Sequence, residues 1–248
     1  MKIISSFFFF LSSALWAQPL GQLVTAGDAL DKENRNQEAL ALYLRADAQK
    51  PNDAEIQWRL SKQYSQLMGD ASSVSEKRRL SQMALESAQR AVSLDPTNAQ
   101  AHLSLAIVYG RIALNESARR KVEMSRLIRQ EAETAARLDP KNDYAWHVLG
   151  RWNYEIANFN PVLKALAQTV YGKLPEASNE KAVACFSKAI ALQPRRVSHH
   201  VELGRAYLAL GEKQKARDEF NKAISLPSVD KDDPEDKQRA RAMLKELQ

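Results

Sequence analysis

A chain of 248 residues has room for one sizeable domain or two small ones. Only 8 glycines, 7% aromatic residues and abundant Ala, Leu, Lys, Arg, Glu and Gln favour helix, and no run of alternating β-branched residues argues for a sheet. The formal charge of +6 is spread along the chain, so it points weakly to an anionic partner; with no recognised binding motif beside it, no nucleic acid is expected.

Met1 to Ala17 carries one lysine, the run Phe7-Phe8-Phe9-Phe10-Leu11, and small residues ending in Ala14-Leu15-Trp16-Ala17. An apolar stretch of roughly 13 residues is short for a bilayer span but suits a secretory leader. The expectation is a signal peptide over 1–17 with cleavage near Ala17 and export to the periplasm or the extracellular space, the alternative being an uncleaved N-terminal membrane anchor. From residue 18 onward a single helical-repeat domain is expected.

The repeat is clearest between Asp139 and Pro194. Trp146 stands at the fourth position, Leu149-Gly150 at the seventh and eighth, and Ala182, Phe186 and Ala189 precede Pro194. This is the tetratricopeptide pattern of two antiparallel helices. A small residue sits where the helices cross, bulky ones fill the gaps between pairs, and proline ends the second helix by forcing the preceding residue out of the α region. Terminating prolines at Pro51, Pro96, Pro140, Pro194 and Pro227 define five pairs, over about 20–53, 54–98, 99–142, 143–196 and 197–229. Asp232-Asp233-Pro234-Glu235 opens a last helix, 233–248, whose Ala240, Met243, Leu244 and Leu247 share a face and whose polar back suits a solenoid cap. The fold class expected is therefore all-α: a tetratricopeptide-like right-handed solenoid of about five helix pairs with a C-terminal capping helix.

The middle three repeats exceed the ~34-residue unit, the fourth most of all. Ser75 to Arg79 and Glu116 to Lys121 read as extra helical turns. In the fourth repeat, Pro161 to Tyr171 followed by Gly172 reads as a short inserted helix, which either covers the open edge of the groove or pads the stack.

Gly150-Arg151-Trp152, Tyr154-Glu155, the proline-bearing insertion, and then Gly204, Tyr207, Gly211, Ala216 and Leu226-Pro227 together resemble the regulator of microtubule dynamics family, over roughly Gln37 to Leu247. The resemblance implies a non-catalytic helical-repeat domain that binds other macromolecules. It implies microtubule association, as in animal members, and in some members a membrane-attached N-terminus with a role in lipid handling at membrane contacts. A secretory leader would carry the mature chain away from cytoplasmic tubulin, so the fold is carried over and the microtubule role is not, unless the chain stays inside.

No catalytic, cofactor or metal site is expected. His102, His147, His199 and His200 have no helical metal spacing, and His199 and His200 point about 100° apart on a helix. Asp230-Lys231-Asp232-Asp233 lacks the glycine and distal glutamate of a calcium loop, and helix initiation explains it. The lone Cys185, one residue before a core Phe, reads as a small buried apolar residue. The ligand surface is expected on the concave face, at the outward positions of each first helix: Trp58 and Lys62, Leu103 and Ile107, Tyr144, His147, Arg151 and Tyr154, and Val201, Arg205 and Leu208. Apolar, aromatic and cationic in turn, it suits a protein or peptide partner or, as the alternative, an anionic lipid or amphiphile in the same groove.

Overall fold

The computed structural model describes residues 18–173 and 176–247. Twelve α-helices account for the described residues: α1 (Leu20–Lys32), α2 (Asn36–Gln49), α3 (Ala54–Asp70), α4 (Val74–Leu94), α5 (Ala99–Ala113), α6 (Ala118–Leu138), α7 (Asp143–Ala157), α8 (Pro161–Tyr171), α9 (Asn179–Leu192), α10 (Val197–Ala209), α11 (Lys213–Ser225) and α12 (Asp233–Glu246). Five pairs, α1/α2, α3/α4, α5/α6, α7/α9 and α10/α11, stack as a tetratricopeptide-like solenoid, with α12 packed on α10 and α11 at its end.

Local chemistry sets the helix ends. Each second helix stops two residues before its proline, and the intervening residue takes an extended conformation, as at Asp95 (φ −141°) and Gln193 (φ −139°). Side chains of Asp53, Ser73, Asn98, Ser117, Asn142, Asn160 and Ser178 accept hydrogen bonds from backbone N–H groups in the first turns of α3 to α9. The turns inside the first and fifth pairs pass through left-handed residues, Asn34 (φ 58°) and Gly211 (φ 77°), types that tolerate that region.

Volume is balanced where the paired helices cross. Gly150 faces Phe186 and Gly204 faces Phe220, and both rings are fully buried. In the second and third pairs the corresponding second-helix residues are Ala88 and Ala132, and the first helices carry Ser61 and Ala106 instead of glycine. Adjacent repeats are also stitched by polar contacts. Trp146 Nε1 donates to the carbonyl of Pro140 (3.0 Å), and His102 Nε2 and His200 Nε2 lie 2.9 and 3.0 Å from the carbonyls of Pro96 and Pro194. The remaining nitrogens of His102 and His200 face Glu131 and Glu219, each at 2.6 Å. These two histidines are therefore clasps between repeats.

In the second and third repeats the added length lies in the second helices. α4 and α6 have 21 residues each, against 14 in α2 and α9 and 13 in α11. The inserted helix α8, capped by Asn160 and closed by Gly172 (φ 75°), lies against α6. Its Ala167 is buried, and Tyr171 Oη is 2.7 Å from Ser125 Oγ, beside the Trp152 indole that donates to the Ser125 carbonyl. It packs on the second-helix side of the stack.

Candidate interaction surface

The first helices α1, α3, α5, α7 and α10 line one side of the stack, and successive members touch, α3 with α5, α5 with α7 and α7 with α10. That closeness redistributes the residues expected to contact a ligand. Leu103 is buried at 5% exposure in a cluster with Ala106, Ala145 and Leu149, and Ile107 packs against the same cluster. His147 is buried, with Nδ1 2.9 Å from His199 Nδ1, bridging α7 to α10. Val201 is fully buried beneath α11 and α12, and Leu208 packs at the edge of that cluster. Leu103, His147 and Val201 are thus core residues and not ligand contacts, because the neighbouring helices close over them.

The other positions stay accessible in part. Trp58 is half-buried, with the Arg59 guanidinium 4.3 Å above its ring. Tyr144 lies beneath Arg196 at 4.3 Å and Tyr154 beneath Arg205 at 4.5 Å. Lys62 is exposed and 2.5 Å from Asp31. Arg151 is exposed and forms no ion pair among the described residues.

Each stacked arginine is also pinned by carboxylates. Arg59 reaches Asp28 (2.8 Å) and Glu55 (2.7 Å), and Arg205 reaches Glu202 (2.6 Å) and Glu155 (3.7 Å). Arg196 reaches Asp143 (2.7 Å) and Asp230 (2.6 Å). Burial pushes the Asp143 carboxyl up, but the His199 hydrogen bond and the Arg196 charge outweigh it and hold the group below its ordinary value. Arg59 and Arg196 are missing from the sequence reading. The Trp58-Arg59 adjacency and the i,i+4 spacing of Glu55 and Arg59 signal the first; nothing local signals the second, whose partners are remote.

A second feature was also invisible in the sequence. The connection from α11 to α12 runs across this face to the N-terminal repeats. Asn34 Nδ2 donates to the Val229 carbonyl (3.3 Å), Lys231 pairs with Asp70, and Asp232 stands 3.9 Å from Arg111. The Asp233 carboxylate accepts from the backbone N–H groups of Val229 (2.7 Å) and Asp230 (2.8 Å), fixing the strap at its downstream end.

On the opposite side, between α6, α7 and α9, an open cavity of about 470 Å³ has Trp146, Leu149, Trp152 and Cys185 in its wall and Arg129, Arg137 and Lys181 among its polar groups. Cys185 is half-buried there, and burial pushes its thiol up to about 11, which makes it a poor nucleophile. No group of three or more potential metal ligands occurs among the described residues.

Stacked helix pairs with an ion-paired aromatic face define the class as a tetratricopeptide-like helical-repeat protein. A thermophilic TPR protein of Thermus thermophilus superposes with a TM-score of 0.63 at 21% identity, over 91% of this chain and 100% of that one, a likeness of fold. The family model described as Regulator of microtubule dynamics protein 1-3 matches residues 23–248, and the chain belongs to that family. It is 30% identical over 197 residues to regulator of microtubule dynamics protein 1 of Bos taurus, covering 78% of this chain and 62% of that protein. It is 27% identical over 196 residues to protein 2 of Mus musculus, covering 79% and 48%. The chain spans about half the length of the curated relatives it matches.

Family membership corrects the expected location. The relatives named here are animal regulator of microtubule dynamics proteins, whose named object lies inside the cell, and this overturns export to the periplasm or the extracellular space. The leader expected over 1–17 lies outside the described residues. Among the described residues, no helix is long and apolar enough to cross a membrane.

Proposed function

We propose that the chain is a non-catalytic scaffold that engages a protein or peptide partner on the face built by its first helices, and that the partner is the microtubule. The observation that carries this is the row of partly exposed aromatic residues, Trp58, Tyr144 and Tyr154, each beneath a carboxylate-pinned guanidinium. Pinning holds rings and arginines in one geometry before a partner arrives, which reduces the ordering cost of binding. Exposed Lys62 and Arg151 add steering toward an anionic surface. The choice of microtubules rests on the names of the relatives. Cosedimentation with stabilised microtubules tests it: the wild-type chain is expected to pellet with the polymer, and Lys62→Glu with Arg151→Glu to weaken this at least about tenfold, from charge reversal at two contacts. Equal pelleting of the folded double variant would remove this face from the interaction.

A second reading, favoured by the cavity of about 470 Å³ beside Trp146 and Trp152, is an anionic lipid or amphiphile held there, with Arg129 and Arg137 toward its head group. Native mass spectrometry of the purified chain tests it. A bound lipid lost on Arg129→Glu supports this reading, and an unliganded mass after incubation with anionic lipid removes it.

A further inference from the structure

We propose that the strap Ser228–Asp232 is a tethered occupant of the first-helix face, and that the ligand of this face is an acidic peptide segment that takes the strap's place. The inference rests on the scaffold reading above and names the chemistry of the ligand.

The strap is held almost wholly by polar contacts at its ends and middle. Its acidic side chains meet arginines from different repeats, Asp230 at Arg196 (2.6 Å) and Asp232 at Arg111 (3.9 Å). Its backbone is read by Asn34, 195 residues away in the chain. Val229 is 65% exposed, so the strap lies on the face and is not buried in it. Partly exposed ion pairs contribute little individually, and what keeps such a segment in place is its tether, which presents it at an effective concentration on the order of millimolar. A free segment with the same charge pattern competes on those terms.

The face has unused capacity for negative charge. Arg111 is wedged against α3, donating to the Ser65 carbonyl (3.1 Å) and to Gln66 Oε1 (3.2 Å). Among the described residues, its one carboxylate neighbour within salt-bridge reach is Asp232, at 3.9 Å. Burial pulls this guanidinium below its ordinary value, Asp232 opposes that pull, and the nearby Arg151 charge adds to it. A carboxylate at direct hydrogen-bonding distance from Arg111, with a second at Arg151, satisfies two cations that the strap serves poorly or not at all.

The test uses the full chain and a fluorescein-labelled synthetic peptide with the sequence of residues 226–235, read by anisotropy. Asp230→Asn with Asp232→Asn weakens the strap and leaves Asp233 to hold the backbone. This variant is expected to bind the peptide at least about tenfold more tightly than the wild type, since the wild-type affinity is reduced by the fraction of time the strap occupies the face. Adding Arg111→Gln and Arg151→Gln is expected to abolish that gain. Equal affinity in wild type and strap variant, or a gain that survives loss of both arginines, overturns the proposal. Hydrogen exchange on the wild-type chain provides a check free of mutations: excess peptide is expected to speed exchange across Ser228 to Asp232, and unchanged exchange there at saturating peptide overturns the proposal. Microtubule pelleting that depends on Arg151 without peptide binding sinks this inference and leaves the scaffold reading standing. Peptide binding without pelleting leaves this inference and the peptide-binding face standing and removes the microtubule as the partner.

Discussion

Gly150 and Phe186 are in such close contact that a methyl group on Gly150 would lie 2.6 Å from Phe186 Cε1. The ring is fully buried and cannot retreat without moving α9 from α7. Gly150→Ala is therefore expected to destabilise the fold by about 1–3 kcal/mol, the cost of overpacking a filled core. Gly110, in α5, has nothing within 4 Å of an added methyl, and Gly110→Ala is expected to stabilise by about 0.5–1 kcal/mol through helix propensity. Urea unfolding of the two variants checks the contrast; similar midpoints would contradict it. In a Phe186→Ala background, where the ring is absent, Gly150→Ala is expected to cost less than in the wild type.

Acid is expected to weaken the solenoid through the His147–His199 pair. Burial holds both imidazoles below their ordinary value, for His147 by a wide margin, and Arg151 and Arg196 add to the effect at His147. Asp143 opposes it at His199. A depressed folded-state value means that the unfolded chain binds the proton more readily. The stability from the neutral pair is thus complete above about pH 6.5 and is lost as pH falls below it toward the folded-state values. Unfolding free energy measured from pH 8 to pH 5 should be flat at first and then fall, with a shallower fall in His147→Leu. A profile identical in the two proteins would show that the pair is not the titrating element.

The capping helix is expected to be required. Ala240 of α12 is fully buried against Val197, Val201 and Phe220, with Met243, Leu244 and Leu247 packed around it. A solenoid end without its cap exposes one apolar face, and terminal repeats have only one stabilising neighbour. Truncation of residues 230–248 should lower the unfolding midpoint and give concentration-dependent association by light scattering. A truncated chain that stays monomeric and equally stable would contradict this role.

Most of the stack was legible in the sequence because its determinants are local and repeated. Prolines at Pro51, Pro96, Pro140, Pro194 and Pro227 end helices by a steric rule, and Leu149-Gly150 with Phe186 announces a helix crossing. Asn160-Pro161 and Gly172 likewise marked the inserted helix, although its seat on α6 required the structure. The interaction surface was less legible. Counting outward positions on each first helix assumes that the helix is alone on that side, whereas stacking packs the next first helix against Leu103 and His147, and α11 with α12 covers Val201. The carboxylates that pin Arg59, Arg196 and Arg205 come in part from neighbouring repeats, and the strap meets Asn34 and Asp70 only through the three-dimensional path of the chain. Spacing along one helix carries no trace of such contacts.

Hydrogen exchange of the chain bound to stabilised microtubules tests the central claim, a partner held on the first-helix face, most directly. Slowed exchange is expected along α3, α7 and α10, centred on Trp58, Tyr144 and Tyr154, with α4, α6 and α8 unchanged. Protection confined to α4, α6 or α8 would place the partner on the opposite side of the stack and contradict the account.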